Sequence, residues 1–565
     1  MPTKIVLFDA QGYWLKKTRD EMDQVVLPLG LMYLASYARS KLGDALDIKI
    51  YHTMVDFDND AESIAACIRR ERPDVVGIRG MTRYQKEFAQ VARLARENSS
   101  ALIVAGGPYA SSDEQAGLLP EIDIAVLDEG EITFTEILDR FQRGQPLDGI
   151  LGTAVRRDGV VHRAPKRPFL DSRELEALPF PAYDLIDMDK YATQLSYGYN
   201  RRRQGVIYTS RGCPYRCDFC HVLFGKKFRE RGPESLLAEF TWLYDQWNVR
   251  DFYVVDDIFN LQKERAVEFF RKLSKSHMGG NIRIYFVNGL RGDRIDKEFI
   301  DAAVEAGAVW LAYAVETASP RLQKQIQKHL KIDKVKRVIE YSYQKGVAVI
   351  YWGMLGIDTE TIEEAQSTVD LLCSMPPSTI PMLFSMKPYP GTEAYAKLRA
   401  KEKALDESLK FQFQDTGSEY HSFAGLMKKD ERYFDVLKTW VDQAQSPERM
   451  KTCTKNLMRI GNTDEDIRIA YKLLYRKLPK RIVDELIQTC RHELAAEGPP
   501  PPAVWPEIVE AKPENEARTP ARRALPLVAS PAPVASVASV TPVASIAQAA
   551  PVAPVASIAL AADAE

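Results

Sequence analysis

Short β-branched runs alternate with amphipathic segments in two separate stretches of the chain, and this alternation constrains the fold more than any other feature. In the first stretch, strand-like runs occupy 5–10, 47–53, 74–80, 101–107 and 122–128, with helical patterns at 30–41, 60–72, 84–98 and 112–118. Strands that alternate with helices predict a parallel sheet covered by helices. Residues 1–140 are therefore predicted to form an α/β domain with a doubly wound parallel sheet.

The second series begins near residue 205. Its strand-like runs are 205–212, 251–257, 282–289, 309–316, 347–355 and 382–389. Six βα units predict a partial (β/α)6 barrel over residues 201–395. Between the two series, residues 141–200 contain prolines and charge pairs that break any long periodicity, so this segment is predicted to be a connection.

The rest of the chain changes character twice. Residues 396–496 are charged, with apolar residues at three- and four-residue spacing, which predicts a helical C-terminal module. Residues 497–565 are rich in Ala, Pro and Val, and their prolines interrupt every potential helix. This segment is therefore predicted to be a disordered tail. A solenoid is the alternative, but the copies of PVASV and PVASI are too short and too unevenly spaced to form one.

Composition excludes several classes of protein. With 76 Lys and Arg against 78 Asp and Glu, the net charge of -2 gives no reason to expect nucleic acid or anionic lipid as a partner. Seven cysteines, three of them within eight residues, do not resemble a secreted disulfide framework. The N-terminus enters a strand without a signal-peptide pattern, and no membrane span is predicted. A reducing cytoplasm is the expected location.

Three thiols lie on one loop, in the segment TSRGCPYRCDFCH, directly after a predicted strand. Thiolates from Cys213, Cys217 and Cys220 can hold three irons of a [4Fe-4S] cluster, which leaves the fourth iron open to a substrate. Zinc is an alternative, because His221 completes a Cys3His set, although adjacent Cys220 and His221 would have difficulty facing one tetrahedral ion. A plain electron-transfer cluster would need a fourth ligand from the scattered cysteines.

The pattern C-x-x-x-C-x-x-C, with Phe219 before the third cysteine, resembles the signature of radical S-adenosylmethionine (SAM) enzymes. The resemblance implies that the open iron binds the methionine moiety of SAM. One-electron reduction then releases a 5'-deoxyadenosyl radical that abstracts hydrogen.

Further segments resemble the other motifs of that family, each at the end of a predicted strand. They are VVDDIFN with Asp256 and Asp257, FVNGLRGD with Arg291 and Asp293, AVETASP with Glu316, and KPYPGTEAY with Pro390 and Gly391. The segment GMLGIDTET resembles a fourth motif but departs from it at Ile357 and Asp358. Cofactor contacts are implied for Phe219, Asp257, Arg291, Glu316, Pro390 and Gly391. The alternative for each motif is a loop turn or a helix N-cap.

The first domain resembles the cobalamin-binding domain of the cobalamin-dependent radical SAM subgroup, through LPLGLMYLASYAR, AGGPYAS and LDEGEITFTEIL. The implied cobalamin contacts are Met81, Thr82 and Arg83 beneath the corrin, with Gly106, Gly107, Glu129 and Gly130. No D-x-H-x-x-G string occurs and His52 lacks that pattern, so no histidine is expected to bind cobalt. A sheet domain that has lost its ligand is the alternative.

The resemblance implies an enzyme that uses a [4Fe-4S] cluster, SAM and cobalamin, most simply a methyltransferase acting on an unactivated carbon of a small molecule or natural product. The helical module would close the cavity over the substrate, and a flavodoxin or ferredoxin would supply electrons. A cobalamin-dependent cyclase or ring-rearranging enzyme is the alternative within the class. A methylthiotransferase would need a second three-cysteine set where only Cys67 is present, and a zinc-stabilised scaffold is the alternative outside enzymes.

Overall fold

The computed structural model describes residues 1–11, 24–57, 60–112, 119–221, 223–401, 426–427, 429–444, 446–474, 478–497 and 503–506. Two sheets with parallel strands, each accompanied by helices, are followed by further helices. This arrangement confirms the predicted fold class.

The N-terminal sheet has seven strands in the order β2-β1-β3-β4-β5-β6-β7. The strands are β1 Thr3–Asp9, β2 Leu46–His52, β3 Val75–Arg79, β4 Leu102–Gly106, β5 Ile124–Val126, β6 Thr153–Arg157 and β7 Val160–Arg163. Strands β1 to β5 are parallel, and β6 and β7 are antiparallel to their neighbours. The alternation of order around β1 confirms a doubly wound sheet, which brings the carboxyl ends of β1, β3, β4 and β5 to one edge.

Among the described residues, the α-helices of this sheet are α1 Leu29–Leu42, α2 Ala61–Glu71, α3 Gln85–Asn98, α4 Gly107–Ser112 and α5 Glu131–Gln142. Helix α4 differs from the prediction, because it begins directly after β4 instead of at residue 112. Gly107 has a φ of +83°, which lets the chain turn from strand to helix without an intervening loop. Residues 113–118 of the predicted helix lie outside the described residues.

Strands β6 and β7 form a hairpin in the segment that was predicted to be only a connection. Their turn is Asp158–Gly159, and both residues have positive φ, +49° and +76°. An Asp-Gly pair of this kind is a common two-residue hairpin turn, because its twist matches that of the strands. The Asp-Gly signal is present in the sequence, but β7 is short and mostly exposed, and its adjacent Val160 and Val161 do not alternate with polar residues as in a half-buried strand. The connection beyond it contains the short helices α6 Ser172–Glu176 and α7 Met188–Ala192.

The second sheet has six parallel strands in simple sequence order. They are β8 Gln204–Ile207, β11 Asp251–Val254, β12 Arg283–Leu290, β13 Ala308–Glu316, β14 Ala348–Leu355 and β15 Pro381–Ser385. A small ladder beside them pairs β9 Ser210–Arg211 with β10 Arg229–Glu230. The accompanying helices are α8 Pro233–Trp247, α9 Lys263–Ser274, α10 Lys297–Glu305, α11 Pro320–Gln325, α12 Ile332–Gln344, α13 Ile362–Ser374 and α14 Glu393–Lys401. Within the described residues, β8 and β15 form the two edges of this six-stranded sheet and do not pair with each other, which confirms a partial barrel.

The C-terminal module contains α15 Tyr433–Ala444, α16 Pro447–Arg459, α17 Asp464–Leu474 and α18 Lys480–Ala496. Asn462 donates its side-chain amide to the carbonyls of Gly198 and Tyr199, at 3.1 and 2.8 Å. Asn456 donates to the Thr379 hydroxyl at 2.9 Å. These partners precede β8 and β15, so α16 and the turn after it pack at the amino ends of the barrel strands. Residues 402–425 of the predicted module lie outside the described residues.

Residues 503–506, within the predicted tail, pack on the barrel helix α12. The Trp505 ring meets the Tyr341 ring edge-on with centroids 5.1 Å apart, and Val504 donates its N–H to Gln344 Oε1 at 2.8 Å. From 507 onward the tail lies outside the described residues. Across the part of the chain that the structure describes, every helix is too short or too polar to cross a membrane.

Candidate active site

The cysteine loop leaves the carboxyl end of β8 and borders a cavity of about 750 Å³, which has the size of a small-molecule site. Cys213, Cys217 and Cys220 all line it, and all three thiols are free. Gly212 has a φ of +83°, and a Cβ there would lie 2.3 Å from the Lys227 carbonyl oxygen. The loop can therefore fold back this tightly only with glycine at position 212.

The two aspartates after β11 have different environments. Asp256 is fully buried and accepts hydrogen bonds from the Thr209 N–H at 2.7 Å and the Ser210 hydroxyl at 2.6 Å. Asp257 lines the cysteine cavity and accepts the Gly212 N–H at 3.2 Å. Burial, with the charge of Asp256 beside it, raises the pKa of Asp257 to about 6. Asp256 therefore holds the start of the loop, and Asp257 faces the cavity.

Arg291 and Glu316, both predicted to contact the cofactor, also line the cysteine cavity. The Arg291 guanidinium lies 3.8 Å from the Tyr215 ring centroid and donates to the Lys328 carbonyl at 2.7 Å. Glu316 has a φ of +67°, a strained conformation for a residue with a Cβ, and its carboxylate pairs with Lys328 Nζ at 2.7 Å. Such strain is concentrated at functional sites in proteins.

A second cavity, of about 580 Å³, lies at the carboxyl edge of the N-terminal sheet. It is bordered by all seven residues predicted to contact cobalamin: Met81, Thr82, Arg83, Gly106, Gly107, Glu129 and Gly130. Gly30 also lines it, and no atom lies within 4 Å of the position that a Gly30 Cβ would take. At Gly106 only the Val126 carbonyl oxygen comes as near as 4.0 Å. The two glycines leave open space that side chains would fill, as close approach of a large flat ligand requires.

Glu129 borders that cavity with a carboxylate that is fully engaged by the protein. It pairs with Arg229 at 2.7 Å and Arg211 at 3.2 Å, and it accepts the Leu170 N–H at 2.9 Å. Glu131 adds a second pair with Arg211 at 2.6 Å. These ion pairs are buried, and they connect the N-terminal sheet to the start of the cysteine loop.

Sequence reasoning missed both arginines of this network. Arg211 directly precedes Gly212 and Cys213, so its closeness to the cysteine loop was a signal that could have been used. Arg229 carried no signal, because its role depends on the pairing of β9 with β10.

The two cavities share four residues: His221, Asp257, Asn288 and Tyr389. Space bordered by the glycines of the N-terminal sheet therefore adjoins space bordered by the three thiols. His52 borders neither cavity, and its Nδ1 accepts the Met54 N–H at 3.1 Å instead.

Two predicted contacts lie just outside the linings. Pro390 and Gly391 border neither cavity, although a Cβ on Gly391 would lie 3.3 Å from His221 Nε2. The helical module was expected to close the cavity over the substrate. Its described residues line neither cavity, because they pack along α13 and at the opposite ends of the barrel strands.

Zinc was the alternative for the cysteine loop. Within the described ranges, no group of three or more His, Cys, Asp or Glu side chains is arranged to hold a metal ion. An open-iron [4Fe-4S] cluster makes a different demand, since its thiolates bind separate irons. Three thiols that border one cavity fit that demand.

Glu360, in the segment after β14, has an environment that makes folding sensitive to pH. Its Oε2 accepts the Gly356 N–H at 2.6 Å and the Tyr433 hydroxyl of α15 at 2.9 Å, while Oε1 is buried without a hydrogen-bond partner among the described residues. Burial raises the pKa of Glu360 to about 7. Below about pH 7, the Glu360 carboxyl group is therefore mainly protonated in the folded protein.

The usual pKa of a glutamate carboxyl group is 4.5. We expect the contribution of Glu360 to stability to be fully present below that pH and to be lost as the pH rises through about 7. Each unit of pKa shift corresponds to about 1.4 kcal/mol. Glu360→Gln, which keeps an acceptor oxygen but cannot ionise, should be more stable than the wild type at pH 8. The free energy of unfolding in urea, measured at pH 5.5 and 8, checks this, and an equal effect of the substitution at both pH values would contradict it.

Comparison with known proteins gives a family match for the barrel and another for the N-terminal domain. Residues 207–372 match the radical SAM superfamily, and residues 16–138 match the B12 binding domain. An uncharacterized methyltransferase of Pyrococcus horikoshii is 30% identical over 374 residues, which cover 65% of this chain and 77% of that protein. The cytidylyl-2-hydroxyethylphosphonate methyltransferase of Streptomyces wedmorensis is 28% identical over 402 residues, covering 62% of this chain and 74% of that protein.

Two solved structures share the fold at low sequence identity. TsrM from Kitasatospora setae, with cobalamin and a [4Fe-4S] cluster bound, has a TM-score of 0.63 at 16% identity and covers 88% of this chain and 100% of that chain. OxsB with aqua-cobalamin and SAM bound has a TM-score of 0.59 at 14% identity, covering 88% of this chain and 80% of that chain.

The chain thus belongs to the radical SAM enzymes that carry a cobalamin-binding domain. Its cofactors are a [4Fe-4S] cluster, SAM and cobalamin, as the sequence predicted.

Proposed function

We propose that this enzyme transfers a methyl group derived from SAM to an unactivated carbon of a small molecule. The observation that carries the proposal is the boundary between the two cavities. His221, Asp257, Asn288 and Tyr389 belong to both, so a substrate placed among them lies within reach of both cofactor sites. The names of the two methyltransferase relatives support methyl transfer.

The proposed residue roles follow the two linings. The cluster is held by Cys213, Cys217 and Cys220. Bound SAM is bordered by Phe219, Arg291 and Glu316, and the segment with Pro390 and Gly391 contacts it from outside the described cavity lining. When bound, the cluster supplies the electron that cleaves SAM, and cobalamin carries the methyl group. The chain itself orients the ligands and excludes water, and this fixed geometry is the protein's contribution to such chemistry.

In the N-terminal sheet, Met81, Thr82, Arg83, Gly106, Gly107 and Gly130 form the proposed cobalamin surface within residues 1–140. Glu129 has a different proposed role, because its carboxylate is occupied by Arg211, Arg229 and the Leu170 N–H. It is a positioning residue that holds the cysteine loop against the cobalamin domain. The barrel over residues 201–395 supplies the remaining contacts.

The overall reaction requires two molecules of SAM and two electrons for each methylated product. One SAM becomes S-adenosylhomocysteine as its methyl group leaves. The other is reduced to methionine and 5'-deoxyadenosine, which takes up the hydrogen removed from the substrate carbon. We propose that a flavodoxin or ferredoxin supplies the two electrons.

Product analysis of the anaerobically reconstituted protein tests methyl transfer. Given SAM and a reductant but no substrate, the enzyme should form one S-adenosylhomocysteine per bound cobalamin. With substrate, one S-adenosylhomocysteine and one 5'-deoxyadenosine should accompany each product, and deuterated methyl from SAM should appear in it.

A cyclase would behave differently. Cobalamin-dependent cyclisation or rearrangement consumes no methyl group, and the anaerobic magnesium-protoporphyrin IX monomethyl ester cyclase of Rubrivivax gelatinosus is 23% identical to this chain over 390 residues. Substrate-dependent 5'-deoxyadenosine without S-adenosylhomocysteine or label transfer would reject methyl transfer and favour that alternative.

A further inference from the structure

Four neighbouring strands, β12 to β15, contribute small and aromatic residues to the lining of the cysteine cavity. Gly289 of β12 and Ala314 of β13 are small, and the Ala314 methyl group and the six-membered ring of Trp352 on β14 both lie close to the position that a Gly289 Cβ would take. A Cβ on Gly289 would lie 2.9 Å from Trp352 Cζ2, so glycine is needed for the indole to lie there. The indole of Trp352 therefore lies against Gly289 and lines the cavity.

Phe384 of β15 completes the wall at an angle to Trp352. The two ring centroids are 6.4 Å apart and the ring planes make an angle of 78°. Phe384 is 46% exposed, unusual for a large aromatic residue that borders a cavity. The rings form an apolar corner with uncovered surface, which suits a flat apolar group.

A lysine stands just beyond this corner. Lys387 borders the same cavity, and no acceptor pairs with its ammonium group among the described residues. Its pKa is lowered because the group is partly buried and because Arg83, which borders the adjoining cavity, carries the same charge. The other cations of the cysteine cavity are occupied: Lys328 by Glu316, Arg291 by Asp293, and Lys226 by the Tyr215 carbonyl.

We propose that the substrate carries a flat apolar portion, which contacts Trp352 and Phe384, and an anionic group, carboxylate or phosphate, which pairs with Lys387. The inference rests on the proposed function, since it places the substrate between the two cofactor sites. A half-buried lysine beside another cation is costly to leave unpaired, and an anion removes that cost. The apolar corner gives the remainder of the molecule a surface on which to be desolvated.

The test measures binding of simple probes to the reconstituted holoenzyme saturated with S-adenosylhomocysteine, so that the SAM site is occupied. Indole-3-propionate and phenyl phosphate are the two anionic aromatic probes, indole is the neutral one, and propionate and inorganic phosphate lack the ring. Calorimetry should show tighter binding for at least one aromatic anion than for indole or for the matching ring-free anion. The probe that binds more tightly distinguishes a carboxylate from a phosphate.

Two substitutions give the expected changes. Lys387→Met should weaken binding of the preferred aromatic anion about 10- to 100-fold and leave indole binding within about twofold, since one charge-assisted hydrogen bond is lost. Trp352→Leu should weaken the binding of the aromatic anion and the binding of indole to a similar extent, about 3- to 10-fold. Lys275→Met, at an exposed lysine after α9, is the matched control and should change nothing.

Three results would overturn the proposal. One is equal affinity of the wild type for indole and both aromatic anions, or no binding of either anion. Another is an unchanged anion affinity in Lys387→Met. The third is a loss of S-adenosylhomocysteine affinity in Lys387→Met as large as its loss of anion affinity, which would assign the lysine to SAM. Failure of the wild type to hold a cluster and cobalamin would instead reject the proposed function.

Discussion

Replacing Cys213, Cys217 or Cys220 by alanine should abolish both the [4Fe-4S] cluster and the cleavage of SAM. The three thiols border one cavity from a single loop, which Gly212 lets fold back on itself. A cluster held by three protein ligands has no protein ligand to spare, so each single loss should be complete. Iron and sulfide content and 5'-deoxyadenosine formation, measured after anaerobic reconstitution, check this.

Cys373→Ala is the matched control for that experiment. Its thiol has the same intermediate exposure as those of Cys213 and Cys217, but it lies on α13 and borders neither cavity. We expect normal iron content and normal SAM cleavage in this variant. A full cluster in any one of the three loop variants would reject the ligand assignment.

Glu129→Gln should lower the free energy of unfolding by about 3–5 kcal/mol, the usual cost of removing one partner from a buried ion pair. The carboxylate of Glu129 is the only one that pairs with Arg229 among the described residues, and both side chains are almost fully buried. Without it the Arg229 guanidinium would be left buried and uncompensated. Chemical unfolding at constant pH and salt measures the loss.

Asp184→Asn is the comparison variant for this prediction. It breaks the ion pair between Asp184 and Arg39, whose side chains are 52% and 41% exposed, and exposed pairs contribute about 1 kcal/mol or less. A Glu129→Gln protein within about 1 kcal/mol of the wild type would show that the buried network does not stabilise the contact between the sheet and the cysteine loop.

Most of the fold could be predicted because local patterns and the final structure agree. Strands such as β3 and β14 lie within one residue of their predicted limits, since apolar runs bounded by Gly or polar residues identify buried parallel strands. The hairpin of β6 and β7 was missed, because exposed antiparallel strands at a sheet edge lack such runs. The helix after β4 begins five residues before its predicted start, because that start depends on the backbone conformation of Gly107.

In the candidate site, residues within sequence motifs could be predicted, whereas residues whose role depends on distant contacts could not. The residues predicted from motifs in the cysteine loop, and from Glu316 and Arg291, border one cavity, because strand ends in a parallel sheet meet at one edge. Glu129 borders its predicted cavity, yet its carboxylate is bound by two arginines distant in the chain. Trp352 and Lys387 were not singled out, since their importance depends on which strands become neighbours.

The residues common to both cavities also bear on the order of folding. His221, Asp257, Asn288 and Tyr389 come from the cysteine loop and from the ends of β11, β12 and β15, so their meeting depends on contacts between distant parts of the chain. Contacts of that kind form late, because long loops must close first. A chain in which β15 has not yet paired with β14 would already contain the cysteine loop. It would lack Tyr389 at the boundary between the two cavities. Loading of the cofactors is therefore best attempted on the fully folded protein.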